Sequence, residues 1–342
     1  MTNLPSVAVI ILNWNGIAYL KQFLPSVCAS TYPNLEIIVG DNASSDDSVA
    51  FVHENYPNVK TIINDQNYGF AGGYNKVLNQ LNHDYFVLLN SDVEVLPNWI
   101  EPVIRLMESD SNIVAAQPKI LSHSNKSSFE YAGAAGGFID QFGYPFCRGR
   151  VFDTLEQDNG QYNESSEVFW ASGAAFFIKR ANWLEMEGLD EDFFAHMEEI
   201  DLCWRLKNEG YKIMYCADSQ VYHVGGGTLQ AENPFKTYLN FRNNLVLLQK
   251  NLPAGKATII IFVRFWLDFI TLIKFLIDGK FKNALAINHA HFYFIKNIFK
   301  NIPKSRKIKK TKFNAKGLFN GSIVWEYFIN KKKHFSSLKK TF

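Results

Sequence analysis

Apolar residues in the first 90 positions follow two alternating patterns. Uninterrupted apolar runs are typical of strands buried on both faces, and they occupy residues 7–12, 35–39, 59–63 and 85–89. Between these runs apolar residues recur every three or four positions, which predicts helices that include residues 20–27 and 47–55. Strands and helices that alternate with short connections predict an α/β fold, in which helices flank a mostly parallel sheet.

The pattern changes after residue 97. Residues 97–107 are predicted to form a helix that Pro97 opens. Residues 129–150 are rich in glycine and aromatic residues, which favours hairpins or a mobile loop over a site. The other predicted elements are a buried strand at residues 170–178, a helix from about residue 198, and two short strands at residues 212–216 and 220–223.

A polar or glycine-rich turn follows each of the first four predicted strands, at Asn13, Asp41, Asn67 and Asn90. The carboxyl ends of parallel strands share one edge of a sheet, where α/β proteins bind nucleotides. Asp92 follows the fourth strand and is therefore a candidate metal-site or phosphate-site residue, although an ordinary polar turn has the same local pattern. The glycines of residues 67–75 permit close approach to a diphosphate, but this stretch is neither a P-loop nor a GxGxxG sequence, and a helix-entry turn is the alternative.

A second group of acidic residues, Glu198, Glu199 and Asp201, begins the helix predicted near residue 198. The helix dipole favours acids in a first turn, which accounts for one or two of them. Three carboxylates repel one another unless a cation, a basic substrate or a retained proton offsets their charge. Paired carboxylates at a cleft supply a general base, so an enzymatic role is the alternative to a structural one. His223 precedes three glycines and is a candidate site residue, although a lone histidine is more often structural.

The composition favours a folded intracellular protein. The 342 residues are 47% apolar, which is sufficient for a substantial core. The four cysteines form no CxxC pair, so neither a disulfide framework nor a zinc site is predicted. The apolar run at residues 7–12 is too short for a signal peptide or a transmembrane span. We therefore expect a cytoplasmic protein.

The motifs together resemble family 2 glycosyltransferases with the GT-A (Rossmann-like) fold, and in particular bacterial rhamnosyltransferase-like enzymes of surface polysaccharide synthesis. Six stretches carry the resemblance in the order of the family, over roughly residues 5–245. They are the Asn-Trp-Asn-Gly turn at residues 13–16, the Asp-Asn-Ala-Ser-Ser-Asp turn at residues 41–46, the glycine-rich stretch at residues 67–75, Asn-Ser-Asp-Val-Glu at residues 90–94, Glu-Glu-Ile-Asp-Leu at residues 198–202, and His223 with its glycines.

The resemblance implies a nucleotide-sugar donor of the dTDP-rhamnose or UDP-sugar type. Asp41 would accept a hydrogen bond from the pyrimidine ring. Asp92 and His223 would bind Mg²⁺ or Mn²⁺ at the donor diphosphate, and Asn90 stands where the DxD motif of the family has its first acid. The full set of donor-binding residues implied in this way is Asn13, Asp41, Gly72, Gly73, Asn75, Asn90 and Ser91.

The resemblance also implies an inverting displacement at the anomeric carbon. Glu199 would be the catalytic base, at a position where the family usually has Asp. Glu198 and Asp201 would orient it or contact the acceptor, and Trp170 would stack on an acceptor sugar. The implied acceptor is a lipid-linked or other glycan.

The C-terminal region is basic and apolar. Residues 256–342 contain 19 Lys and Arg against 3 Asp and Glu. Residues 259–277 are apolar apart from Arg264, Asp268 and Lys274, and these charges favour an interfacial helix over a transmembrane span. A second apolar segment at residues 284–299 and the lysines of residues 300–312 would add contact with anionic lipid, at about 1 kcal/mol per basic residue.

We therefore predict a glycosyltransferase domain at residues 1–250 and a helical, basic, membrane-association region at residues 251–342. The protein would lie on the inner face of the cytoplasmic membrane. A solvated tail is an alternative for the basic region. Nucleic acid is not an expected partner, because no RNA- or DNA-binding motif accompanies the lysines. A nucleotidyltransferase and a non-catalytic carbohydrate- or lipid-binding protein are the alternative functions.

Overall fold

A computed structural model describes residues 4–225 and 233–338 of the chain. The strands are β1 (Val7–Asn13), β2 (Leu35–Asp41), β3 (Lys60–Ile63), β4 (Tyr85–Asn90), β5 (Val93–Val95), β6 (Ile113–Ser122), β7 (Gly137–Asp140), β8 (Pro145–Cys147), β9 (Arg150–Val151), β10 (Thr154–Leu155), β11 (Ser166–Val168), β12 (Ala175–Lys179), β13 (Lys212–His223) and β14 (Leu318–Phe319). The helices are α1 (Ile17–Cys28), α2 (Ser48–Asn55), α3 (Gly69–Leu78), α4 (Ile100–Glu108), α5 (Arg180–Glu185), α6 (Glu198–Asn208), α7 (Pro234–Asn251), α8 (Ala254–Ile277), α9 (Phe281–Lys296), α10 (Ile298–Lys307) and α11 (Ile323–Phe328).

The large sheet has the strand order β11-β13-β6-β12-β4-β1-β2-β3, and β5 pairs with the end of β13. Its first four strands, β1 to β4, pair in parallel, as the sequence predicts, because a helix connects each strand to the next. The register places Asn13 beside Asp41 at one edge of the sheet. The polar strand ends are therefore neighbours.

The second half of this sheet is mixed rather than parallel. β12 pairs antiparallel with both β4 and β6, whereas β13 pairs in parallel with β6. An apolar run indicates that a strand is buried but not which way it runs, so the direction of β12 was not predictable. The two strands predicted at residues 212–216 and 220–223 are one strand, β13, with a register shift between Cys216 and Gln220.

Residues 129–150 form part of a second, smaller sheet of order β10-β9-β8-β7-β14. The predicted hairpins are present, but they are largely buried rather than a mobile cover. Phe138 and Phe146 pack against aromatic rings from the C-terminal region, including Phe335 at 4.8 and 6.2 Å between ring centroids. Because β14 also comes from this region, the boundary predicted at residue 250 does not separate two cores.

Helix α8 buries its central charged pair and exposes an apolar face. Arg264 and Asp268 are buried and form an ion pair of 3.1 Å. Asn244 accepts a hydrogen bond from Arg264, and His291 lies 3.1 Å from Asp268. The outward face consists of exposed apolar side chains, which include Ile259, Phe262, Trp266, Phe269, Ile270, Ile273 and Ile277. Among the described residues, no helix is long and apolar enough to cross a membrane.

Part of the basic run at residues 300–312 contacts protein carboxylates. Lys304 lies 2.5 Å from Asp190 and 2.7 Å from Asp192, and Lys300 lies 3.0 Å from Asp192. These two lysines therefore neutralise an acidic loop of the protein, although the Lys300 side chain is still 52% exposed. Contact of the basic run with anionic lipid stays a prediction.

Candidate active site

The carboxyl ends of β1 and β2 are joined around Asp41. Asn13 Nδ2 donates to Asp41 Oδ1 at 3.0 Å and to Ser44 Oγ at 3.1 Å, and the Ser44 backbone N–H donates to Asp41 Oδ2 at 2.8 Å. Asn13 Oδ1 is buried and has no hydrogen-bond donor within the described ranges. Gly16 leaves room beside it, because a Cβ at Gly16 would lie 2.5 Å from this oxygen. The oxygen is therefore an acceptor available to an N–H group of a ligand.

Asn42 organises the adjacent turn, although the sequence analysis did not single it out. Its Nδ2 donates to Asn67 Oδ1 and to the Gly69 carbonyl, both at 2.9 Å. Its Oδ1 accepts from Asn64 Nδ2 at 3.1 Å and from the Tyr68 backbone N–H at 3.2 Å. This buried amide fixes the glycine-rich turn against the end of β2.

Asp92 and His223 meet at the same edge of the sheet, 131 positions apart in sequence. The pairing of β5 with β13 places Val93 opposite His223, which brings His223 Nε2 to 3.1 Å from Asp92 Oδ1. Asn90 Nδ2 lies 3.4 Å from the same nitrogen. Three residues predicted for the donor and metal sites are therefore in contact.

Glu130 completes this cluster, although no motif or periodic pattern marks its position. Its Oε2 lies 3.3 Å from His223 Nδ1, on the side of the ring opposite Asp92. Burial lowers the pKa of His223, but the hydrogen bonds to Asp92 and Glu130 outweigh burial and raise that pKa to about 10. A cation at Nε2 would replace the proton there, because a histidine ligand binds metal in its neutral form.

The donor set fits Mg²⁺ or Mn²⁺ held jointly with a ligand. It offers a carboxylate from Asp92 and an imidazole from His223 beside the amide group of Asn90, with Glu130 positioned to fix the imidazole tautomer. Within residues 4–225 and 233–338, no group of three or more His, Cys, Asp and Glu side chains is arranged to hold a metal alone. Mg²⁺ sites of this kind are commonly completed by substrate phosphates.

Glu198 and Glu199 begin α6 and follow a strained loop. The loop at residues 189–197, which we call the α6 entry loop, places Phe194, His196 and Met197 at positive φ, between 64° and 73°. Such conformations cost energy in residues other than glycine, and they cluster at functional sites. The strain is concentrated directly before the two carboxylates.

The two carboxylates are poorly solvated. Glu198 is 4% exposed, and its Oε2, the Glu199 Oε2 and the His196 Nε2 are buried without partners in the described structure. Burial raises the pKa of Glu199 to about 7. Burial and then the charge of Glu199 raise the pKa of Glu198 well above its usual range. A carboxyl group with a pKa near neutrality suits a general base.

Helix α7 holds the α6 entry loop in place through Asn243 and Arg242. Asn243 Nδ2 lies within 2.6–3.0 Å of the carbonyl oxygens of Phe193, Ala195 and His196. Arg242 donates to the Phe193 carbonyl at 2.8 Å and to the Asp192 carbonyl at 2.9 Å. This positioning role of Arg242 and Asn243 was not predictable, because no sequence motif distinguishes them from other polar residues of a helix.

Asp201 and Trp170 have different positions from those expected of acceptor-side residues. Asp201 is fully buried, and it lies 2.8 Å from Arg205 and 2.9 Å from Lys250. Trp170 is packed beneath β7, where its Nε1 donates to the Phe138 carbonyl at 2.8 Å. Neither side chain has an exposed face that could contact a sugar, so both stabilise the fold in this structure.

Helix α3 uses its predicted donor-site residues mainly for packing. The position of a Cβ on Gly73 would lie 2.9 Å from both Asn42 and Leu12, so the glycine allows α3 to approach β1 closely. Gly72 is likewise buried, beside Tyr68. Asn75 tethers the α6 entry loop, because its Nδ2 donates to the Leu189 carbonyl at 2.8 Å and its Oδ1 accepts from the Leu189 N–H at 3.0 Å. Ser91 is half-buried between Asn90 and Asp92.

The α6 entry loop contacts the start of α3. Burial, and to a smaller extent the charge of Lys236, lowers the pKa of His196 in this loop to about 4. The Phe194 carbonyl accepts a hydrogen bond from the Phe70 N–H at the start of α3, at 2.9 Å. The carboxylates of α6 are thus placed near the same sheet edge as Asp92 and His223.

Comparisons with known proteins agree with this geometry. The family model for glycosyl transferase family 2 matches residues 8–173. The N-acetylglucosaminyl-diphospho-decaprenol L-rhamnosyltransferase of Mycobacterium tuberculosis is 24% identical over 64% of this chain and 75% of its own length. The GalNAc(5)-diNAcBac-PP-undecaprenol beta-1,3-glucosyltransferase of Campylobacter jejuni is 23% identical over 74% of this chain and 77% of its own length.

A solved structure supports the fold. The mannosyltransferase PcManGT of Pyrobaculum calidifontis, in complex with GDP-Man and Mn²⁺, has a TM-score of 0.51 and 13% identity over 90% of this chain and 86% of its own. The strand order, the paired strand ends and the family match agree with the resemblance found in the sequence. The chain therefore carries a family 2 glycosyltransferase domain on a GT-A fold, and the protein is a glycosyltransferase.

Proposed function

We propose that the protein transfers a sugar from a nucleotide diphosphate-sugar to a lipid-linked acceptor, with inversion at the anomeric carbon. The observation that carries the proposal is the presence of two parts in one site. One part is the cluster of Asn90, Asp92 and His223, and the other is Glu199, whose Oε2 has no partner among the described residues. The two relatives described above, whose names specify polyprenyl-diphosphate acceptors, support the lipid-linked class.

Donor recognition would use the ends of β1, β2 and β4. Asn13 Oδ1 accepts an N–H of the base, while Asp41 holds the Asn13 amide in position. Asp92 and His223, with Asn90, would hold a divalent cation, and the bound cation would neutralise charge on the leaving diphosphate. The mannosyltransferase PcManGT, whose solved structure contains Mn²⁺, supports this use of a metal.

Glu199 would act as the general base. Its buried Oε2 has no protein partner in the described residues, so it can accept the proton of an acceptor hydroxyl. Loss of that proton lets the hydroxyl oxygen attack the anomeric carbon opposite the leaving diphosphate, which gives inversion. Asn243 and Arg242 act as positioning residues, since they hold the loop that precedes Glu199.

The pH profile should show the titration of this base. With a Glu199 pKa of about 7, the active carboxylate predominates above that pH and is lost below it. We expect kcat/KM to fall about tenfold per pH unit below about 7 and to reach a plateau above about 8. Glu199→Asp keeps a carboxylate and should keep a profile of this shape with a shifted midpoint. A flat wild-type profile between about pH 5 and 8 contradicts the assignment of Glu199 as the base.

The test of the whole proposal is a screen of nucleotide sugars for hydrolysis and thermal stabilisation with Mn²⁺ present. Stabilisation by a nucleotide together with hydrolysis of its sugar supports a glycosyltransferase with this donor class. Nucleotide binding without hydrolysis or transfer for any sugar favours a non-catalytic binding protein. Release of diphosphate from a nucleoside triphosphate favours a nucleotidyltransferase.

The apolar face of α8 supports docking on a membrane. At least seven exposed apolar side chains share this face, and two of the three charged residues that interrupt the apolar run, Arg264 and Asp268, are buried. Exposed apolar patches of this kind mark interaction surfaces, and aromatic-rich helices suit a bilayer interface. A lipid-linked acceptor would be reached from that interface.

Replacing Phe262 and Ile270 with Ser should reduce binding to vesicles, because both side chains are about 64% exposed on α8. We expect at least a tenfold lower partition coefficient on phosphatidylcholine–phosphatidylglycerol vesicles, measured by sedimentation. The matched control replaces Leu155 and Leu184, which are exposed elsewhere on the protein, and should change partitioning by less than about twofold. Equal effects of the two pairs contradict docking through α8.

A further inference from the structure

An apolar groove lies between the start of α7 and the length of α9. Its volume is about 830 Å³, and aromatic and aliphatic side chains form most of its wall, notably Phe235, Tyr238, Leu285 and Phe292. The lining runs from Lys282 to Lys296 along α9, which corresponds to about 20 Å of helix. Such a groove is long and narrow enough for an extended hydrocarbon chain.

One side of the groove adjoins the α6 entry loop. Phe235 packs against Phe194 of that loop, with ring centroids 6.3 Å apart. Arg242 lies over the rings of Tyr238 and Tyr293, at 5.4 and 5.3 Å, and donates to the Phe193 carbonyl of the same loop. The groove therefore runs alongside the loop that positions the catalytic base.

The end of the groove at Lys282 lies beside exposed apolar residues that continue from α8. Ile277 at the end of α8 is 80% exposed, and Phe281 at the start of α9 is 66% exposed. Leu285 and Phe292 continue this apolar surface along α9, and they also line the groove. A hydrocarbon chain lying in the groove would thus enter the membrane at the face already proposed to dock there.

Cationic and polar groups line the groove at intervals. Lys296 and Asn297 lie at the end near Tyr293, and Lys282 lies at the outer end. His289 lies between them. Positive charge beside an apolar channel complements an anionic head group attached to an apolar chain.

We infer that the groove between α7 and α9 binds the polyprenyl chain of a diphosphate-linked acceptor, with the diphosphate at the Lys296 end. This inference rests on the proposed function, because it specifies how the lipid-linked acceptor is held. The chain leaves the groove past Leu285, and the sugar carried by the diphosphate reaches Glu199 past Phe194. The site thus selects the acceptor by its lipid as well as by its sugar.

The test uses farnesyl diphosphate, which combines a short isoprenoid chain with a diphosphate, in calorimetric titrations of the full-length protein. Wild type should bind it at least tenfold more tightly than either inorganic diphosphate or farnesol. Leu285→Glu places a charge in the groove and should weaken binding at least tenfold. Lys296→Gln should reduce the affinity toward that of farnesol.

The matched control is Ile259→Glu, which adds the same charge to an apolar residue of α8 that does not line the groove. It should bind farnesyl diphosphate within about twofold of wild type while partitioning less onto vesicles. Equal loss of binding in Leu285→Glu and Ile259→Glu overturns the inference. Binding of lysophosphatidylglycerol as tight as that of farnesyl diphosphate also overturns it, because the groove would then hold membrane lipid.

Titration of wild type and Leu285→Glu with nucleotide and Mn²⁺ separates the two levels of the proposal. Nucleotide binding in both proteins, with farnesyl diphosphate binding unaffected by Leu285→Glu, removes the groove assignment and leaves the proposed function intact. Absence of nucleotide binding in wild type removes the proposed function itself, and the groove assignment with it.

Discussion

Replacing Glu199 with Gln should lower the rate of sugar transfer by about 10²–10⁴-fold, because the amide cannot accept the proton of the acceptor hydroxyl. Binding of the nucleotide donor with Mn²⁺ should change by less than about threefold, since Glu199 belongs to the α6 side of the site. Radiolabelled transfer assays and calorimetric donor titrations measure the two quantities separately. Near-normal turnover of the variant would show that another group is the base.

The same variant should be more stable than wild type at alkaline pH. The folded-state pKa of Glu199 is raised to about 7 from a usual value of 4.5. Its stabilising neutral form is complete below the usual value and is lost as pH rises through about 7. Gln is neutral throughout, so we expect a higher Tm than wild type at pH 8 and little difference near pH 4.5. Glu209→Gln, at the other end of α6, is the control and should show no such pH-dependent difference.

Replacing Asp92 with Asn should weaken Mn²⁺-dependent donor binding by about 100-fold or more, because the cluster loses its one carboxylate next to His223 Nε2. The change preserves shape, so the fold should be retained. Calorimetric titration with UDP and dTDP, in the presence and absence of Mn²⁺, measures the loss. In the absence of metal the variant and wild type should bind nucleotide equally.

Two further substitutions make this result specific. Asn90→Asp adds a carboxylate to the cluster and should tighten Mn²⁺ binding, since the amide of Asn90 carries no charge. Glu94→Gln removes a carboxylate that lies only two positions from Asp92. Because Glu94 pairs with Lys126 and His123, its loss should leave Mn²⁺ binding unchanged. Equal donor affinity of Asp92→Asn and wild type in Mn²⁺ would show that the metal is held elsewhere.

Much of the donor side was predictable from sequence because its residues lie at the ends of apolar runs. Asn13, Asp41 and Asn90 each end a strand of the parallel half of the sheet, and sheet geometry alone places them along one edge. His223 was identified by the family motif. Its contact with Asp92 depends on the pairing of β5 with β13. This pairing was not predictable, because β5 has only three residues and is too short to show a periodic pattern.

The acceptor side was less predictable because it depends on contacts between distant segments. Asp201 belongs to an acidic motif, yet Arg205 and Lys250 neutralise it inside the protein. Burial raises the pKa of Asp201, but these two cations outweigh burial and lower it below its usual range. A sequence pattern shows that charges are close along the chain, but it does not show which of them have partners.

The helix predicted at residues 259–277 illustrates the same limit. The sequence shows that Arg264 and Asp268 interrupt an apolar run, and their spacing predicts an ion pair on one face. It does not show that this face is turned inward, because that orientation depends on Asn244 and His291 in neighbouring helices. The charged residues disfavour a transmembrane span, as predicted. Because Arg264 and Asp268 are buried, however, the outer face of the helix is more apolar than the sequence suggested.

The pairing of Lys304 with Asp190 joins segments that lie 114 positions apart and are synthesised at different times. The segment that carries Glu199 leaves the ribosome well before α10, which supplies Lys304. Before α10 emerges, Lys250 of α7 is already available to pair with Asp190, but Lys304 is not. The α6 entry loop therefore acquires both of these ion pairs only after α10 has been synthesised.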